Sequence, residues 1–241
     1  MPHTAWVLVS FGVSLLLGAC INEPTREGPT PIERMLAEDS SYQANDSLAQ
    51  HIAFDYVELN REVWQRPAEI LARFGPLAGK AVVEVGAGTG FFTRRLAAKA
   101  DHVIALDIDP NMLLLLDSLN AEQLDPTTYS RVDPRLVPHD SPNLGDAEAD
   151  AALVVNTFMY IQDRPDYLRK LAAGLKSESL VLIVDFKAEN TPVGPPVGSR
   201  LPAIEVERAM RTAGYVEVRR DESTLDYQYI VSGRVAHTEE N

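Results

Sequence analysis

The chain has 241 residues, enough for one sizeable domain, and 45% of them are hydrophobic against 24% charged, as in ordinary globular proteins. Its formal charge of −13 and the lack of any basic run argue against nucleic acid as a partner, because phosphate backbones reward clustered Lys and Arg. A single cysteine, Cys20, excludes a disulfide within the chain.

The first element is a short apolar run, Ala5 to Ala19, with Trp6, Phe11 and Leu15-Leu16-Leu17 and no charge. It is too short for a comfortable membrane span and ends in small residues, as a secretory signal does. Only His3 and the amino terminus precede it as basic groups. Leu17-Gly18-Ala19-Cys20 resembles the bacterial lipobox, which implies cleavage before Cys20 and a lipid on that cysteine. The expectation is therefore residues 1–20 as signal and lipobox, and a cell-envelope protein anchored facing the periplasm; the alternative is a cytoplasmic or membrane-tethered protein. Residues 21–47, broken by Pro24, Pro29 and Pro31 and rich in acids and serines, read as a flexible linker.

From Leu48 the pattern turns helical. Phe54, Val57 and Val63-Trp64 supply apolar positions among Asp55, Glu58, Arg61 and Glu62. Trp64-Gln65-Arg66-Pro67 then leads into a helix opened by Pro67 and stopped at Gly75-Pro76.

Ala81 to Val85 is a valine-rich apolar run, suited to a strand buried on both faces of a parallel sheet. Gly86, Gly88 and Gly90 follow at alternate positions, and Phe91 to Lys99 reads as a helix. A strand, a glycine-rich turn and a helix form a ligand-binding elbow at the carboxyl end of a sheet. The third glycine comes one residue early for a dinucleotide fingerprint, which weakens a nicotinamide reading. No Gly-Lys-Ser/Thr follows, which excludes a Walker loop. The next strand, His102 to Asp107, ends in an acid about 20 residues past the loop, where nucleotide-binding sheets hold a ribose. Asp109 suits the cap of a helix opened by Pro110.

Glu84-Val85-Gly86-Ala87-Gly88-Thr89-Gly90, with Ala105-Leu106-Asp107-Ile108-Asp109-Pro110-Asn111-Met112, resembles the class I S-adenosylmethionine-dependent methyltransferases. The resemblance implies an α/β, Rossmann-like three-layer sandwich, with a seven-stranded mostly parallel sheet and a C-terminal antiparallel hairpin. It implies S-adenosyl-L-methionine as cofactor. The bare backbone at Gly86, Ala87, Gly88 and Gly90 would lie along the methionine part. Glu84 would help to hold the amino group, and Asp107 the ribose hydroxyls. Ile108 and Met112 would border the adenine, although Met112 also reads as plain core. The resemblance further implies that residues 48–236 form the methyltransferase domain, with 48–78 as a helical lid. Trp64, Gln65 and Arg66 would then face the cleft, or else Trp64 is core and Arg66 surface.

Farther along, Leu119 to Pro134 reads as irregular and Arg135 to Val137 as a short third strand. Asp140 matches the family's adenine-contacting acid; His139 beside it reads as an exposed turn residue. Asp150 to Asn156 is a fourth strand whose exit loop, Asn156 to Ile161, would border the transferred methyl, with Asn156 a candidate cofactor-binding residue. Many relatives carry histidine near the end of that loop. Here Met159-Tyr160 stands instead, and a phenol with an ordinary pKa near 10 is a poor base. Tyr160 is nevertheless the one candidate catalytic side chain. Asp163-Arg164-Pro165 opens a helix through Leu175. Leu180 to Lys187 forms a fifth strand, with Asp185 and Lys187 where an acceptor could lie. Thr191-Pro192-Val193-Gly194-Pro195-Pro196 is a stiff loop in the acceptor wall. A helix from Ile204 to Ala213 precedes two alternating strands, Tyr215 to Arg219 and Tyr227 to Ser232.

The functional expectation is methyl transfer to an unidentified small molecule, with no metal and no nucleic acid, and with a membrane only through the anchor. Arsenic methylation is rejected for want of cysteines. A second expectation is an exported protein of this fold that binds S-adenosylmethionine or S-adenosylhomocysteine without turnover.

Overall fold

The computed structural model describes residues 61–237. The stretches read above as signal, with Cys20, as linker and as the first part of a lid lie outside the described residues.

In chain order the elements are α1 (Arg61–Gln65), α2 (Pro67–Ala72), β1 (Ala81–Val85), α3 (Phe91–Ala97), β2 (His102–Asp107), α4 (Pro110–Gln123), α5 (Pro126–Tyr129), β3 (Val132–Leu136), β4 (Ala149–Val155), α6 (Arg164–Ala173), β5 (Leu175–Phe186), α7 (Ala203–Thr212), β6 (Val216–Asp221) and β7 (Gln228–Arg234). Single 3₁₀ turns span Phe158–Tyr160 and Val197–Ser199. The strands form one seven-stranded sheet in the order β3-β2-β1-β4-β5-β7-β6. β1 to β5 pair in parallel, and β7 runs antiparallel between β5 and β6.

Alternation along the buried strands sends successive side chains to opposite faces. Val82 and Val103 join Ile70, Phe92 and Leu96 from α2 and α3 on one face. Val83 and Ile104 join Leu168, Leu171, Val206 and Met210 from α6 and α7 on the other. Helices on both faces make the expected three-layer sandwich. The strand order turns back at β1 and β4, so the carboxyl ends of these strands flank the crevice where such sheets take ligands.

Helix starts follow local chemistry. Asp109 caps α4 by accepting from Asn111 N at 2.9 Å, with Pro110 in the first turn. Asp163 does the same for α6 through Asp166 N at 3.2 Å.

Three stretches differ from the sequence expectation. Residues 119–134 are not irregular: α4 continues to Gln123, and Asp125 caps α5 by accepting from Thr127 N and Thr128 N. The third strand is Val132–Leu136 and contains Pro134. Proline is tolerated because β3 pairs only with β2, so one side of its backbone needs no ladder partner. β5 begins at Leu175, five residues early, and regains its pairing with β4 through a register shift between Ala149 and Ala151.

Candidate active site

The crevice is built first from the turn after β1. Gly86 N and Ala87 N donate to Leu106 O at 2.8 and 2.9 Å, which ties the turn to β2. Gly86 has φ +75°, and a Cβ there would stand 2.1 Å from Thr157 Oγ1. This glycine is thus required by the protein itself, since the turn lies directly against the loop after β4. Gly88 has φ +52°, and a Cβ there would meet nothing within 4 Å. Its Cα borders open space, as a surface for a ligand would. Gly90 opens α3, and its N donates to Ala87 O at 2.9 Å.

Asp107 turns toward this loop. Its Oδ2 accepts from Gly88 N at 2.7 Å and its Oδ1 from Asp109 N at 3.0 Å. The carboxyl is 9% exposed, and burial raises its pKa against the pull of the backbone N–H groups of Asp109, Gly88 and Ile108. A carboxylate offers about four acceptor positions, so capacity remains for a vicinal diol.

Glu84 is buried at the end of β1, where Thr93 Oγ1 of α3 donates to its Oε2 at 2.6 Å. Desolvation dominates and pushes its pKa up to about 8, although the Thr93 hydrogen bond and the guanidinium groups of Arg61 and Arg94 pull it down. The carboxyl is therefore mostly protonated at neutral pH. Met112 is buried and Ala87 packs with Ala105 and Leu116, whereas Ile108 is exposed. Asp140 lies exposed beyond β3, with Lys170 Nζ 3.8 Å from its Oδ2.

Asn156 follows β4 with φ +56°, and its N donates to Val184 O at 2.9 Å. Its Oδ1 accepts from Gln228 Nε2 at 2.5 Å. Gln228 Oε1 accepts from Gln65 Nε2 at 2.9 Å, and Gln65 Oε1 from Arg61 Nε at 2.5 Å. Gln65 and Gln228 are both fully buried.

Trp64, Met159 and Phe186 pack as one buried cluster. Trp64 lies 5.6 Å from the Phe186 ring and 6.4 Å from that of Tyr227. Asp185 is fully buried; its Oδ2 accepts from Met159 N at 3.1 Å. Burial pushes its pKa up to about 8, opposed by the Met159 hydrogen bond and by Arg164. Among the described residues, Asp185 Oδ1 and Trp64 Nε1 are buried without a hydrogen-bond partner. Tyr160 is 63% exposed, and partial desolvation together with Asp185 raises its phenol. It is thus a hydrogen-bond donor at neutral pH rather than a base.

Two acceptor-side candidates make contacts with neighbouring loops. Arg66 does not face the cleft: it starts α2 with φ +51°, pairs with Glu69, and donates to Thr224 O at 2.5 Å on the β6–β7 turn. Lys187 is partly exposed, and its Nζ donates to Asp226 O at 2.9 Å.

Some structural supports were not evident from the chain. Arg200, 9% exposed, donates to Pro195 O (2.8 Å), Lys187 O (3.2 Å), Glu189 O (2.7 Å), Thr191 Oγ1 (2.7 Å) and Val193 O (3.2 Å). Its guanidinium also sits 5.3 Å from the centre of the Phe186 ring. It knits the 187–200 loop together beside Phe186. Thr93 is a polar residue at a buried helix position beside the glycine turn, a signal that could have been read. Gln228 and Thr157 carry no local signal.

The geometry is matched by known proteins. The family described as "Methyltransferase domain" matches residues 83–181. Phosphoethanolamine N-methyltransferase 1 of Arabidopsis thaliana is 34% identical over 109 residues, 44% of this chain and 20% of that protein. This chain thus aligns with only about a fifth of the curated relative's length. A SAM-dependent methyltransferase from Aquifex aeolicus superposes with a TM-score of 0.69 at 21% identity, over 77% of this chain and 98% of that one. Haemonchus contortus phosphoethanolamine N-methyltransferase 2, solved with S-adenosyl-L-methionine, superposes with a TM-score of 0.65 at 13% identity, over 85% and 60%. In fold, and in sequence over residues 83–181, this chain is similar to the S-adenosylmethionine-dependent methyltransferases.

Proposed function

We propose that this protein transfers a methyl group from S-adenosylmethionine to a small polar molecule. The observation that carries the reading is the pairing of Gly88 and Asp107: bare backbone with open space beside it, and a buried carboxyl held 2.7 Å from the same peptide. Asp107 grips the ribose, the Gly86–Gly90 turn lies along the amino-acid part, and Glu84 faces the ammonium. Bound there, the cofactor supplies an electrophilic methyl on a sulfonium.

The chain's own residues then position and exclude. In-line attack needs little covalent help, so holding the acceptor near the methyl and keeping water out contribute most of the acceleration. Trp64, Met159 and Phe186 supply the dry wall. Tyr160 remains protonated and orients an acceptor oxygen or phosphate by donation. The unpartnered Trp64 Nε1 and Asp185 Oδ1 give that wall unused hydrogen-bonding capacity. Because the curated relatives are phosphoethanolamine N-methyltransferases, small amines bearing a polar or anionic group are the first acceptor class to assay.

A second reading has a specific motive. The Asn156–Ile161 loop has no histidine and Tyr160 is no base, which fits a protein that binds the cofactor without turnover. Titration calorimetry with S-adenosylhomocysteine tests what both readings share. Wild type should bind and Asp107→Ala should not; silence from both would end the cofactor reading. Label transfer from methyl-labelled cofactor to a panel of amines then separates enzyme from binder.

A further inference from the structure

The chain Arg61–Gln65–Gln228–Asn156 is a hydrogen-bonded wire with a fixed direction. A guanidinium has donors and no acceptor, so Arg61 can only donate. Gln65 must therefore turn its Oε1 to Arg61, 2.5 Å away, and its Nε2 to Gln228, 2.9 Å away. Gln228 must in turn offer its Nε2 to Asn156 Oδ1, at 2.5 Å. Each amide is oriented by the one before it, and both glutamines are fully buried, so no water can substitute. At the end of the wire, Asn156 keeps its Nδ2 turned from Gln228 and without a hydrogen-bond partner among the described residues. Asn156 is partly exposed, in left-handed backbone, and one residue before the Thr157 that packs under Gly86.

We infer that Gln65 and Gln228 are positioning residues that hold the Asn156 amide with its N–H₂ toward the ligand crevice, so that Asn156 donates to an acceptor oxygen or nitrogen of the adenosyl ligand. The inference rests on the cofactor reading above. It couples the seating of α1 to ligand affinity: when α1 is docked, Arg61 sets the direction, and the crevice carries a donor. When α1 departs, Asn156 is free to turn either way.

The wire's direction can be reversed without changing its shape. Gln65→Glu still accepts from Arg61, but it can no longer donate to Gln228. Gln228 must flip to donate toward residue 65, Asn156 must donate to Gln228, and its Oδ1 then faces the ligand. Titration calorimetry with S-adenosylhomocysteine should show affinity lower by about tenfold, the scale of one hydrogen bond replaced by a repulsion. Gln228→Glu puts the reversal one link nearer and should give the same loss. Gln65→Met breaks the wire without reversing it and should lose only about two- to threefold, since Asn156 can still turn its donor inward. Asn156→Asp should match Gln65→Glu, and the double variant should bind no worse than either single one.

A merely structural role predicts that affinity falls in step with melting temperature across these variants, since a carboxylate at a fully buried position destabilises more than a thioether; losses of affinity that only follow losses of stability would overturn the inference. So would Gln65→Glu and Gln228→Glu that bind within twofold of a wild type that itself binds. A wild type that does not bind S-adenosylhomocysteine would instead remove the cofactor reading, and the wire's purpose with it.

Discussion

The two glycines that flank Ala87 should fail in different ways when each is given a methyl group. In Gly86→Ala the new Cβ meets Thr157 at 2.1 Å from Oγ1, 2.6 Å from Cγ2 and 2.8 Å from Cβ. Left-handed backbone costs an L residue about 1 kcal/mol, and overpacking of this kind costs about 1–3 kcal/mol more. Urea denaturation should therefore show a loss of about 2–4 kcal/mol, part of it recovered by adding Thr157→Ala. In Gly88→Ala the Cβ meets no protein atom within 4 Å, so only the backbone strain of about 1 kcal/mol applies. The methyl instead enters the space assigned to the ligand, where a misfit of about 1–3 kcal/mol lowers affinity by about 5- to 150-fold. Calorimetry with S-adenosylhomocysteine on both variants separates the two effects. A Gly88→Ala protein that binds as wild type would show that the crevice lies elsewhere. A Gly86→Ala protein as stable as wild type would refute the packing argument.

Arg200→Met should cost about 2–4 kcal/mol of stability, read from the urea midpoint, because buried loop carbonyls lose a charged donor. It should also speed proteolytic cleavage within residues 187–200. Asp185 has its folded pKa raised to about 8 from an ordinary 3.8, so the unfolded chain gives up this proton first and stability falls as pH rises between those values. Asp185→Asn removes that dependence, and its stability relative to wild type should improve by on the order of a few kcal/mol from pH 4 to pH 8. Glu84 is mostly protonated at pH 7, and an ammonium placed beside it would draw the proton off. Ligand binding measured in buffers of different ionisation enthalpy should then report proton release, and Glu84→Gln should abolish it.

What could be read along the chain was what is local. The strand, glycine turn and helix from Ala81 to Ala97 occupy one continuous stretch, and Asp107 closes the next strand; both stand where the spacing placed them. Helix starts at Pro110 and Arg164 were legible because a capping aspartate announces each. The third strand was misplaced because Pro134 reads as a breaker until the sheet shows that β3 is an edge. Arg66 reads as either cleft or surface because nothing in Trp-Gln-Arg-Pro reveals a left-handed residue, which swings its side chain toward Thr224. Gln228 was invisible for a different reason. Its partners are 163 residues back at Gln65 and 72 back at Asn156, and a glutamine in an alternating strand looks like any solvent-facing one.

Both rims of the sheet are closed to further pairing. On one side Pro134 removes an amide from β3 and is flanked by Asp133 and Arg135; on the other, β6 is interrupted by a register shift around Glu217 at φ +50°. A seven-stranded sheet with two open rims would recruit strands from neighbouring molecules. This one is blunted at both ends, so crowding many copies together need not turn a stack of sheets into a continuous ribbon.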